Sequence, residues 1–322
     1  MEAAIEVAAT ARAHASPNPW VGCVLVTPGG ATFVGATEPP GQRHAEIVAL
    51  DAARAAGADL VGATAYVTLE PCAHQGRTGP CADALVAARV ARVVVAVEDP
   101  DPHVAGQGIE RLRAAGVVVD VGVGAPGATV QLAPYLKHRT TGRPWVVLKW
   151  AATLDGRTAA PDGSSRWITG PEARADVHRL RAESDAVIVG AGTVRTDDPS
   201  LTVRDAIGDD PLRVVLGTAP ADAKVHPCIE HDGPLPQLLD QLGAKGVVQV
   251  LVEGGATVAG AFHRAGLVDR YVVYVAPALL GGGDGVPSLA GPGVPTMHDA
   301  WRGRIASVAQ LGADLKIVLE PT

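Results

Sequence analysis

Aromatic side chains are scarce in this chain: five Trp, four Tyr and two Phe make up 3% of 322 residues. Few rings are left to stack against single-stranded bases, which argues against a nucleic-acid partner. Positive charge is in the minority too. Lys and Arg number 27 against 34 Asp and Glu, a formal net charge of −7. That sign is wrong for a broad phosphate-backbone footprint, although a local Arg cluster could still hold one phosphate. Cysteine occurs four times, at Cys23, Cys72, Cys81 and Cys228. This is not a disulfide framework, and a reducing, cytoplasmic setting is expected. No uninterrupted apolar run is long enough to span a membrane, so no membrane partner is expected. The first residues, with Glu2 and Glu6, lack the basic leader and apolar stretch of a signal peptide. No internal repeat is found.

What is present is a chain 47% hydrophobic, rich in Ala and Val, with 38 Gly and 25 Pro. Its length suggests two domains, each able to bury its own core. A helix is expected over residues 1–14, stopped by Pro17-Asn18-Pro19, then strands at Val21–Val26 and Thr32–Gly35. A helix from His44 to near Gly57, a strand at Ala65–Leu69 and a helix around Ala82–Arg89 follow. Next come a strand at Arg92–Val97, a helix through Ile109–Ala115 and a strand at Val117–Val121. Such alternation implies a parallel or mixed sheet with helices on both faces. Thr140–Pro144 reads as a short connector. Beyond it, strands are expected at Trp145–Trp150, Asp185–Gly190, Leu212–Leu216, Val247–Val252, Tyr271–Val275, Ile305–Val308 and Leu315–Leu319. Pro171 marks a helix start, capped by Thr169 or Gly170.

The most informative stretch runs from His44-Ala45-Glu46 to Glu70-Pro71-Cys72 and Cys81. One His and two Cys supply three zinc ligands. Zinc that hydrolyses needs three protein ligands, an open position for water and a nearby carboxylate that moves protons. His44, Cys72 and Cys81 would be the ligands and Glu46 the carboxylate, the H-x-E then P-C pattern of zinc nucleobase deaminases. His44 and Glu46 are expected in the first turn of a helix. Pro71 is expected to end a strand and let Cys72 open the next element, so that two helix N-termini face the site. The alternative is a structural zinc knuckle with His74 as a fourth ligand. Asn18, held between two prolines, is either a turn residue or a pyrimidine contact.

Eight residues, rather than two, separate Cys72 from Cys81. With Pro17-Asn18-Pro19 upstream, this insert resembles the N-terminal domain of the bifunctional riboflavin-biosynthesis deaminase/reductase. The second half is similar to the reductase domain of the same family. The features that carry this are Lys149, Thr153-Leu154-Asp155-Gly156-Arg157, Ser165-Arg166-Trp167, Thr193-Val194-Arg195-Thr196-Asp197, Leu201-Thr202-Val203-Arg204 and Glu253-Gly254-Gly255-Ala256. Taken alone, Gly254-Gly255 after a strand is a plausible phosphate cradle or an ordinary tight turn.

The resemblance implies a cytidine-deaminase-like three-layer α/β/α domain over residues 1–142. It implies a dihydrofolate-reductase-like α/β domain over residues 143–322. It implies zinc-dependent deamination of 2,5-diamino-6-ribosylamino-4(3H)-pyrimidinone 5′-phosphate, with Glu46 as catalytic residue. NADPH-dependent reduction of the ribosyl to a ribityl chain would follow. Asn18, Arg77 and Thr78 would contact substrate in the first domain. Lys149, Ser165, Arg181, Leu201, Arg204 and Glu253 would do so in the second, with Arg181 and Arg204 toward the phosphate. Ala151, Trp167, Thr193, Asp197, Thr218, Gly255 and Ala256 would contact NADPH. A homo-oligomer, dimer or tetramer, is expected from the same resemblance. Where the family often carries Gly-Tyr-His, this chain has Gly35-Ala36-Thr37, so no substrate role is expected at Thr37. A nucleic-acid-editing deaminase, a single-activity reductase with a structural zinc domain, and a related pterin- or flavin-like pathway are the competing readings.

Overall fold

Short β-branched runs divided by Gly and Pro build the sheet of the first half. The computed structural model describes residues 1–74, 79–102 and 104–322, and divides into two units, Met1–Gly142 and Arg143–Thr322.

The first unit runs α1 (Glu2–Ala9), β1 (Gly22–Val26), β2 (Thr32–Ala36), α2 (Ala45–Ala55), β3 (Thr64–Leu69) and α3 (Cys81–Ala87). It continues β4 (Arg92–Val97), α4 (Gln107–Ala114), β5 (Val118–Val121) and α5 (Ala125–Thr141). The strands form one sheet, ordered β2-β1-β3-β4-β5. β1 is antiparallel to both neighbours, while β3, β4 and β5 are parallel. Val93, Val94 and Val95 of β4 are buried, as apolar residues on both faces of a covered central strand must be. α1 packs with α5, and α3 packs with α2 and α4, which gives the expected three layers. Two glycines let helices close on the sheet. A Cβ on Gly22 would overlap the Ala4 carbonyl of α1, and one on Gly35 the Ala45 carbonyl of α2. The second contact brings the start of α2 onto β2.

The second unit runs β6 (Trp145–Thr153), β7 (Arg157–Ala159), α6 (Pro171–Ala182), β8 (Ala186–Gly190), α7 (Ala191–Asp197), β9 (Leu212–Leu216) and β10 (Ile229–His231). Then come α8 (Leu235–Ala244), β11 (Gln249–Val252), α9 (Ala256–Arg264), β12 (Arg270–Ala276), β13 (Val286–Pro287), β14 (Gly303–Leu311) and β15 (Asp314–Pro321). Its main sheet is ordered β10-β9-β8-β11-β6-β12-β15-β14. It is parallel from β10 to β12, and β15 and β14 add antiparallel. Alternation along β6 decides which helix covers which face. Val146 and Leu148 pack with Leu238, Leu242 and Phe262 of α8 and α9, while Val147 packs with Val177 and Leu180 of α6.

Several elements are absent from the sequence reading. α5 is absent from it, although the helix is 17 residues long, because Pro134 lies inside it and its apolar face is weakly marked. Thr140 and Thr141 belong to that helix, so the connector begins at Gly142. β7, α7, β10, α8 and β13 are absent from the sequence reading too.

Candidate active sites

In the first unit, three ligand atoms of His44, Cys72 and Cys81 lie within 4.8 Å of one another. His44 is the extended residue that precedes α2, and Glu46 is the second residue of that helix. Cys72 does not open a helix, contrary to expectation; Cys81 does, as the first residue of α3. Cys72 lies in the loop beyond β3 and receives the start of α3. The Cys81 N–H donates to Cys72 Sγ (3.4 Å) and the Ala82 N–H to the Cys72 carbonyl (3.1 Å). These bonds close the eight-residue insert and bring the sulfurs together. His44 Nδ1 is 3.6 Å from Cys72 Sγ and 3.3 Å from Cys81 Sγ. Hydrogen bonding from the Cys81 thiol is the largest influence on Cys72. With His44 and the Cys81 backbone N–H it outweighs burial, and Cys72 is held well below the usual thiol range. A thiolate at neutral pH is what a metal requires of a cysteine ligand. His74, the alternative fourth ligand, is exposed and outside the cluster. The donor set therefore fits a zinc ion with one position left open.

Glu46 is 3% exposed, and burial, then the Cys72 charge, push its carboxyl up to about 7. A group poised there can both take and return a proton near neutrality. Both Glu46 and the metal cluster face a cleft of about 200 Å³. Asn18, Asp99, Asp101, Tyr135 and Arg139 line it as well. Thr37 lines it too, but its hydroxyl accepts from the Val21 N–H (3.0 Å) and is engaged with the backbone. Arg77 and Thr78 lie outside the described residues.

Glu70, two residues before Cys72, has a role the sequence did not reveal. Its buried carboxylate accepts from the backbone N–H groups of Asp99 (3.2 Å), Gly106 (2.9 Å), Gly108 (2.8 Å) and Ile109 (3.2 Å). It fixes the start of α4 and the turn that follows β4. Tyr135 of α5 donates to Asp99 from the other side (3.0 Å). Glu70 adjoins the zinc motif in sequence, which was the one available signal. Tyr135 and Arg139 gave none, since α5 was not seen.

In the second unit, Thr193, Thr218 and Glu253 follow β8, β9 and β11, at the C-terminal ends of parallel strands where open α/β sheets bind ligands. Glu253 follows β11. Arg181 of α6 donates to it twice (2.6 and 3.0 Å), and Lys149 Nζ of β6 lies 3.5 Å away. Burial would raise the Glu253 carboxyl, but the charges of Lys149 and Arg181 outweigh it and hold it at about 2. Arg181 also donates to the Thr202 carbonyl (3.2 Å). Arg204 is exposed. The Arg204 N–H donates to His178 Nδ1 (3.2 Å), so α6 also positions that loop. Leu201, at φ 53°, turns its side chain into the core with Val187 and Val215, leaving only its backbone for a ligand.

Gly255 precedes α9 and Ala256 opens it, and a Cβ on Gly255 would lie 3.4 Å from Thr193 Oγ1 of α7. This places Thr193 beside the Gly255-Ala256 turn. Ala151 is half-buried on β6, Ser165 is half-buried, and Thr218 is exposed after β9. Trp167 is 71% exposed, with the Arg174 guanidinium 4.6 Å from its ring. Asp197 ends α7, where its carbonyl accepts from Arg166 (2.9 Å).

Comparison with known proteins places both units. Residues 144–317 match the family described as RibD C-terminal domain, and residues 1–97 match the cytidine and deoxycytidylate deaminase zinc-binding region. The riboflavin biosynthesis protein RibD of Escherichia coli is 40% identical, with 98% of this chain and 96% of that protein covered. Its Mycobacterium tuberculosis counterpart is 45% identical, covering 99% and 96%. The structure of Acinetobacter baumannii RibD superposes with a TM-score of 0.91 at 41% identity, over 100% of this chain and 97% of that one. A diaminohydroxyphosphoribosylaminopyrimidine deaminase/5-amino-6-(5-phosphoribosylamino)uracil reductase from Thermotoga maritima gives 0.88 at 32%, over 100% and 97%. With both halves matched along nearly their whole length, the chain belongs to the RibD family of riboflavin biosynthesis proteins.

Proposed function

We propose that the two activities of this family are divided between the two units, with residues 1–142 deaminating and residues 143–322 reducing. The chain is a bifunctional deaminase/reductase of riboflavin biosynthesis. The observation that carries the division is the His44–Cys72–Cys81 cluster with buried Glu46 beside it, confined to the first unit.

In the first unit the substrate is a phosphoribosylated diaminopyrimidinone, which loses one ring amino group as ammonia. Zinc held by His44, Cys72 and Cys81 would supply an activated water. Glu46 accepts a proton from the attacking water and returns it to the leaving amine, a shuttle that a carboxyl near 7 performs in both directions. Asn18 borders the same cleft and can bond a ring edge. Arg77 and Thr78 are assigned to substrate by resemblance alone.

In the second unit NADPH would supply the hydride that opens the ribose to a ribityl chain. The Gly255-Ala256 start of α9, next to Thr193, offers backbone N–H groups to a cofactor phosphate. Trp167, Asp197, Thr218 and Ala151 complete the proposed cofactor set. Lys149 and Glu253 face the ribose. The ion pairs of Lys149 and Arg181 with Glu253 keep it ionised, so it accepts hydrogen bonds from sugar hydroxyls. Ser165, the Leu201 backbone and Arg204 are assigned to the remaining substrate contacts. The chain is further read as a homo-oligomer joined through the second unit.

The test is a coupled assay on zinc-loaded protein with the phosphoribosylated diaminopyrimidinone, following ammonia release and NADPH oxidation together. Ammonia is expected without NADPH, and NADPH oxidation only after deamination. A chelator that strips zinc should stop ammonia release while leaving reduction of the deaminated product intact. NADPH loss without ammonia would refute the deaminase assignment, and ammonia without any NADPH oxidation would refute the reductase one.

A further inference from the structure

The described lining of the zinc-centred cleft includes four carboxylates, Glu46, Glu70, Asp99 and Asp101, and one guanidinium, that of Arg139. A phosphate dianion drawn into such a cleft meets walls of its own sign unless a cation receives it. Glu70 is engaged with four backbone N–H groups, but the acidic turn of Asp99 and Asp101 stays on the wall. Arg139 stands in the last turn of α5, opposite that turn. Its guanidinium carbon lies 5.0 Å from the Tyr135 ring centroid, and the Tyr135 hydroxyl is fixed by Asp99. Its Nε is 3.5 Å from Asp101 Oδ2, longer than a charge-assisted hydrogen bond. That Nε is buried and has no hydrogen-bond partner among the described residues. A planar fork of donors is thus steered by a ring and a carboxylate, yet not saturated by either. Such a fork suits a phosphate monoester.

We propose that Arg139 is the phosphate-binding residue of the deaminase cleft, receiving the 5′-phosphate of the pyrimidine ribotide. The proposal rests on the deaminase reading above. It adds to that reading a group on α5, a helix absent from the sequence analysis. Tyr135 and Asp101 act as positioning residues, one setting the plane of the guanidinium and the other its direction. A plain brace between α5 and the Asp99–Asp101 turn would make a different prediction, since it would be indifferent to whether the substrate carries phosphate.

The experiment compares wild type, Arg139→Ala and Arg139→Lys as full-length, zinc-loaded protein. KM and kcat for ammonia release are measured on the phosphorylated substrate and on its dephosphorylated nucleoside. Arg139→Ala is expected to raise KM for the phosphorylated substrate by about tenfold or more, as loss of a charge-assisted pair does. It should leave kcat and the nucleoside nearly unchanged. Arg139→Lys should fall between, keeping the charge and losing the fork. Equal losses on both substrates, or no loss on either, would overturn the proposal. Zinc content and NADPH-dependent reduction of the deaminated product report folding. If wild type released no ammonia from either compound, the deaminase reading itself would fail. The phosphate site would then be tested alone, by titrating the cobalt-substituted protein with ribose 5-phosphate. A visible-band shift lost in Arg139→Ala supports the site, and an identical shift in both refutes it.

Discussion

At the scale of single residues, Glu46 combines a position and an environment that make different demands. Sitting second in α2 favours its anionic form through the helix dipole. Burial and the neighbouring Cys72 charge favour the neutral form and prevail. Glu46→Gln keeps the size and removes the titrating group. Ammonia release is expected to fall about 10²–10⁴-fold, with one zinc per chain still found by metal analysis. Near-full activity in that variant would remove Glu46 from the mechanism. Arg181 makes the opposite lesson. The family resemblance assigns it to the substrate phosphate, and the structure adds what that assignment does not show, donors directed to Glu253 and the Thr202 carbonyl. Two side chains 72 positions apart meet only through the fold, so neither composition nor spacing could announce the pair.

At the scale of elements, the zinc ligands were legible because their chemistry is local: a His two residues from a Glu, and a Cys after a Pro. The strands were legible because β-branched runs are periodic and Gly and Pro bound them. α5 was not legible. Pro134 argued against a helix interior, and Leu132, Tyr135 and Ala128 mark only a narrow buried stripe. Tyr135 and Arg139, the cleft-lining residues it carries, were lost with it. α4 depends on a device equally hard to read, a carboxylate from another element capping its first turn. Glu70→Ala would leave backbone N–H groups at Asp99, Gly106, Gly108 and Ile109 without their acceptor in a buried setting. We expect a loss of about 3 kcal/mol in urea unfolding of the zinc-saturated first transition. Glu70→Gln, which keeps an acceptor oxygen, should lose less. Equal stability of wild type and Glu70→Ala would show that water replaces the carboxylate at no cost.

At the scale of the whole molecule, the main sheet of the second unit ends in an unprotected edge. Among the described residues β14 pairs only with β15, and its residues from Arg304 to Gln310 are exposed on both faces. Ile305 is 63% and Val308 56% exposed, and Leu315, opposite Gln310 on the partner strand, is 40% exposed. Monomeric sheets protect their edges with charge, proline or a bulge. This edge carries one register shift, between Ile305 and Ser307, and one charged side chain, Arg304, which is tied to Glu320. An edge so apolar is stable in water when a second copy covers it, and a twofold pairing of identical surfaces satisfies both copies at once. Sedimentation velocity should therefore find a dimer or larger for wild type, and a smaller species for the Ile305→Lys, Val308→Lys double variant. Both positions are solvent-facing within the chain, so the variant should keep its fold and its zinc. A wild type that sediments as a monomer at micromolar concentration, or a double variant that sediments unchanged, would rule out this edge as the joining surface.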